Sequence, residues 1–157
     1  MPRLARALVV VVAAASLAGC ASSVSLQPAK DADDPLCAEV TVRLPATIDG
    51  QERRWTDAQA TGAWGEPGKG TAVILTCGVE PPGPTDARCI TVGGVDWIVD
   101  ESQAPRYLVT SYGRTPAVEV FLDNEVVASN EVLSALGPLV QRIPAERACT
   151  NVETVEP

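Results

Sequence analysis

Apolar and polar positions alternate with two different periods along this chain, and they divide it into strands and one helix. Thr71–Val79 is β-rich and almost entirely apolar, which predicts a central strand. Pro81-Pro82-Gly83-Pro84 cannot extend it. Cys89-Ile90-Thr91-Val92 and Val95-Asp96-Trp97-Ile98-Val99 flank Gly93-Gly94, so they predict a hairpin with a two-residue turn at positive φ. That register sets Val92 opposite Val95 and Ile90 opposite Trp97 on a core face. Thr91 and Asp96 then face each other on the opposite side.

Arg106–Tyr112 and Ala117–Leu122 predict two more strands around Gly113-Arg114-Thr115-Pro116, with Val118, Val120 and Leu122 alternating inward. Asn130–Arg142 switches to helical spacing through Val132, Leu136, Leu139, Val140 and Ile143, with Ser129 or Asn130 as the cap. Pro138 should kink or split that helix. Earlier in the chain the pattern is less decisive. Glu39–Leu44 fits a strand or a short helix ending before Pro45. Ile48-Asp49-Gly50 reads as a turn, and Arg53-Arg54-Trp55 opens a short extended piece. Gly62–Gly70 reads as a glycine-rich loop that carries Trp64. The expected fold is α+β, a small antiparallel sheet covered by a C-terminal helix.

The first apolar run is different in kind. Arg3 and Arg6 precede Ala7–Ala18, in which Ser16 is the only polar residue. Twelve helical residues reach roughly 18 Å, short of the ~30 Å hydrocarbon core, so the run fits an export signal better than a membrane span. It ends in Leu17-Ala18-Gly19-Cys20. That motif resembles the lipobox of bacterial lipoproteins. The resemblance implies cleavage before Cys20 and a diacylglycerol on its thiol, with the protein held at the outer face of the cell membrane. The expected organisation is a signal over 1–19, an acylated N-terminus and flexible tether over 20–35, a globular domain over 36–150 and a disordered tail over 151–157. Asp31, Asp33 and Asp34 lack the glycine turn and distal glutamate of a calcium loop and read as a solvated acidic linker.

Four cysteines remain, Cys37, Cys77, Cys89 and Cys149, an even number in an exported chain, which predicts two disulfides. Three pairings exist. Cys77–Cys89, across the Pro/Gly-rich loop, is the favoured one, leaving Cys37–Cys149 to clamp the domain ends. Zinc is disfavoured by the lack of CxxC pairs and of histidine.

Charge and composition narrow the chemistry. Removing residues 1–19 takes the net charge from −8 to −10, which argues against a nucleic-acid partner. The absence of histidine excludes Ser-His-Asp and Cys-His arrangements. Paired thiols leave no cysteine nucleophile in the domain. Lys69, in a Gly-Lys-Gly loop, is a poor general base. No motif calls for a cofactor or a metal. Carboxylates on or near the strands (Asp96, Asp100, Glu101, Glu119) keep open a hydrolase or transferase acting on the envelope.

Several elements together resemble an actinobacterial lipoprotein family, domain of unknown function 3515. They are the lipobox, Cys37, Leu44-Pro45, Ala63-Trp64-Gly65-Glu66-Pro67, Cys77-Gly78-Val79, Cys89, Val92-Gly93-Gly94-Val95-Asp96-Trp97, Gly113-Arg114-Thr115-Pro116 and Cys149. The resemblance spans nearly all of 37–149, implies the envelope location and the four cysteines, and brings no activity. The expectation is a non-catalytic module that binds an envelope protein or peptidoglycan, with Trp64, Trp97 and Arg114 as binding candidates. The rivals are the carboxylate enzyme and a purely structural lipoprotein.

Overall fold

The computed structural model describes residues 23–150 and the backbone of 152–153. Cys20 and the export segment lie outside the described residues. Among the described residues there are two helices, α1 (Pro35–Thr41) and α2 (Ser129–Val140). The strands are β1 (Thr47–Ile48), β2 (Gln51–Arg54), β3 (Thr61–Trp64), β4 (Val73–Val79), β5 (Cys89–Val92), β6 (Val95–Gln103), β7 (Arg106–Ser111), β8 (Ala117–Asp123) and β9 (Val152–Glu153). They join in the order β1-β2-β3-β4-β8-β7-β6-β5-β9. The first eight pair antiparallel, and β9 runs parallel to β5. This is the expected α+β architecture.

Helix α2 touches β5 near one edge of the sheet and β1 at the other, and it also packs on α1. Laid flat, the seven strand spacings between β1 and β5 would cover ~33 Å, whereas twelve helical residues span ~18 Å. The sheet therefore curls around α2. The enclosed core contains Trp64, Leu75, Trp97, Val118, Val120, Leu122, Leu133, Leu136 and Ile143, all fully buried.

The hairpin register is as the sequence predicts. Val92 pairs Val95, Ile90 pairs Trp97 and Thr91 pairs Asp96. The first four side chains are buried, and Thr91 Oγ1 donates to Asp96 Oδ1 at 2.6 Å on the other face. Asp49 and Gly50 both take positive φ in the turn joining β1 to β2.

Several expectations are settled or changed. The ambiguous 36–50 segment begins as helix α1, because Asp34 Oδ1 accepts Leu36 N–H at 2.8 Å and Pro35 opens the first turn. Cys37 and Val40, three apart, form its buried face. Residues 61–64 are strand β3 rather than loop. Helix α2 runs unbroken past Pro138, and its cap residue is Ala128; Asn124 Oδ1 instead receives the Ser129 N–H and hydroxyl.

The segment read as a tether is bonded to the domain from Val24 onward. Val24 N–H donates to Trp55 O at 2.7 Å, Asp31 N–H donates to Gly78 O at 3.0 Å, and Ala32 is buried. Val152–Glu153, within the expected tail, pair with β5.

The disulfides are Cys37–Cys77 and Cys89–Cys149, not the favoured pairing. The sheet order explains why. Cys77 on β4 and Cys89 on β5 are separated by β8, β7 and β6. Four strand spacings amount to ~19 Å, far beyond the ~7 Å limit between Cα atoms of a disulfide. Cys37 on α1 instead lies over β4, and Cys149 returns beside β5.

Candidate functional site

All three binding candidates from the sequence are interior. Trp64 is fully buried, and its indole N–H donates to Pro45 O at 3.0 Å. Trp97 is fully buried and donates to Val92 O at 3.1 Å. Neither presents a ring face to a ligand, and they stand four strands apart, on β3 and β6.

Arg114 is buried and donates through NH1 to Ile143 O, while its Nε has no partner among the described residues. Burial lowers its pKa, with the Asp96 carboxylate opposing that shift. Asp96 in turn accepts from Thr91 through Oδ1 and from Cys149 N–H at 2.8 Å through Oδ2. Glu146 N–H bonds Gly113 O, and Arg114 bridges Ala145. Together these contacts strap residues 143–146 onto the loop between β7 and β8, and Cys149 onto β6 of the hairpin. Arg114 and Asp96 hold the fold together at this point.

The carboxylates on and near the strands are engaged singly. Asp100 accepts Ser102 N–H, which lowers its pKa. Glu101 pairs with Arg88. Glu119, half-buried on β8, has its pKa raised by desolvation. Asp96 also lies close to Cys89 and Cys149, in a group with metal-ligand spacing. Both sulfurs there belong to one disulfide, so the group offers a single carboxylate that is already hydrogen-bonded.

A sizeable concavity lies elsewhere. A groove of about 640 Å³ is lined by Leu44, Thr47, Glu52, Arg53, Trp55 and their neighbours. Leu44 is buried at its floor, while Trp55 is 78% exposed at its wall. Arg53 donates to Leu44 O at 3.1 Å, and Arg54 reaches Gly70 O at 3.3 Å. The side walls thus carry two guanidiniums, one carboxylate and a bare indole. Sequence reasoning noted Trp55 only as part of an extended piece. The signal it carried was a large aromatic ending the polar run Gln51-Glu52-Arg53-Arg54, with no apolar alternation to draw it inward.

No helix among the described residues is long and apolar enough to cross a membrane. The chain belongs to the family described as protein of unknown function DUF3515, whose profile matches residues 4–148. No curated protein and no solved structure matches it.

Proposed function

We propose that this protein is a non-catalytic lipoprotein of the cell envelope, anchored through acylated Cys20, whose domain engages an envelope protein or peptidoglycan. One observation carries the anchoring. The chain has five cysteines, four of which are joined in two disulfides, so Cys20 is the one cysteine left over, and it sits at the end of a lipobox. The family match supports the reading, since it starts at residue 4 and takes in the whole stretch through Cys20. The paired cysteines fit an oxidising compartment. The non-catalytic part is supported by the absence of histidine from the chain and by the structural bonds that occupy Asp96, Asp100 and Glu101.

Proximity labelling in intact cells, with the labelling enzyme fused to the C-terminus, tests it. The fusion should label extracytoplasmic envelope components, and Cys20→Ala should release the protein from the membrane fraction and change the labelled set. Retention of Cys20→Ala in the membrane with the same labelled neighbours would overturn the reading.

A further inference from the structure

The segment just after Cys20 is stitched to the wall of the Trp55 groove. Val24 N–H donates to Trp55 O at 2.7 Å, and Asp57 N–H returns a bond to Val24 O at 3.3 Å. Val24 and Thr56 form a parallel bridge, and Asp57 Oδ1 accepts Leu26 N–H at 2.8 Å. Residues 24–26 therefore cannot move away from 55–57 without breaking these bonds.

Building on acylation at Cys20, we propose that the Trp55 groove is a membrane-contact surface, with Trp55 and Arg53 seated among phospholipid head groups. Covalent reach sets the geometry. Val24 is four residue steps from Cys20, a span of at most ~14 Å. The thioether glycerol sits at the base of the head groups, a layer ~5–8 Å deep on each side of the bilayer. Val24 is then held within ~6–9 Å of the outer surface of that layer, about the length of one Trp or Arg side chain.

The groove's chemistry fits that depth. Of the three tryptophans, two are fully buried and Trp55 is 78% exposed. An indole has an apolar body and one N–H, and tryptophan concentrates at membrane–water interfaces for that reason. The Arg53 guanidinium has five N–H donors in a fork that matches phosphate, and its bond to Leu44 O uses one nitrogen. The ten residues from Cys20 to Ala29 carry no charged side chain, so nothing in the connecting segment repels the surface.

The domain's net charge opposes adhesion to anionic lipid, but charges beyond a Debye length of ~8–10 Å are largely screened. Close to the groove, Glu52 and Asp57 offset Arg53 and Arg54. Contact therefore rests on the indole and on guanidinium–phosphate hydrogen bonds rather than on net attraction, and its salt dependence should be weak.

Fluorescence quenching of the full acylated protein tests this. The protein is reconstituted into phosphatidylcholine–phosphatidylglycerol vesicles with or without brominated phosphatidylcholine. Trp64 and Trp97 are shielded by the core, so brominated lipid should remove about a third of the emission, the share of one indole in three. Trp55→Phe should abolish that loss, and Arg53→Ala should reduce it. Trp55 and Arg53 are both exposed, so neither variant threatens folding.

Flotation of the same vesicles reports anchoring separately. Protein that floats but is quenched no more than Trp55→Phe overturns the lipid contact and leaves the anchor standing. An unquenched but blue-shifted Trp55 emission does the same, and points to the protein's own acyl chain or a second polypeptide in the groove. Protein that does not float overturns anchor and contact together.

Discussion

Gly93 and Gly137 pack backbone against backbone, with the β5–β6 turn pressed onto the middle of α2. An ideal Cβ on Gly93 would lie 2.6 Å from Leu133 O, and one on Gly137 would lie 2.7 Å from Gly93 Cα. Gln141 Nε2 closes the contact by donating to Gly93 O at 2.6 Å. The glycine pair thus serves the tight turn and the seating of the helix at once.

Substitution at this contact should be costly. Gly137→Ala forces backbone apart and is expected to lower unfolding free energy by about 1–3 kcal/mol. Gly93→Ala should cost more, because it adds strain at φ +61. Gly83→Ala, with open space around it, should change little. Urea denaturation midpoints at constant m-value check the ordering.

The two disulfides can be read from a non-reducing tryptic map. Peptide 31–43 should be joined to 70–88, and 89–106 to 148–157. A link between 70–88 and 89–106 would refute the strand order. The sequence separations are 40 and 60 residues, so each bond should contribute about 4 kcal/mol in the chain-entropy description.

The two tryptophans of β3 and the β2 end should behave oppositely. Trp64→Ala removes a fully buried ring and its bond to Pro45 O, and should cost about 3–5 kcal/mol. Trp55→Ala should stay within about 0.5 kcal/mol of the parent. Thermal unfolding of both variants makes the comparison.

Glu119 predicts a pH slope. Desolvation raises its folded pKa above the ordinary carboxyl value, so the folded state holds the proton more tightly than the unfolded chain. Its contribution to stability is fully present below the unfolded pKa and is lost as pH rises through the folded one. Glu119→Gln should therefore flatten the fall in stability just above the ordinary glutamate pKa, and be neutral or stabilising at pH 7. Denaturation measured from pH 4 to pH 7 decides it.

Local pattern made much of the sheet legible. The β5–β6 register followed from Gly93-Gly94 and the alternation around it, and β8 from Val118, Val120 and Leu122. What misled was information that is not local. Cys77 and Cys89 are near in sequence, but the sheet interposes three strands, which no spacing rule encodes. Gly62 made β3 look like a loop. In the structure it lets Leu44 and the Trp64 ring approach to where a Cβ would stand, 2.6 and 2.9 Å away. The burial of the binding candidates was hidden for a related reason. Trp64 and Trp97 are core residues whose polar N–H finds a carbonyl, whereas the exposed indole belongs to Trp55, in a polar run.

Mass spectrometry of the N-terminal tryptic peptide of the membrane-extracted protein tests the anchoring most directly. A peptide 20–30 that starts at Cys20 and carries a diacylglyceryl thioether is the predicted result. An unmodified Cys20 inside a peptide still joined to residues 7–19 would contradict it.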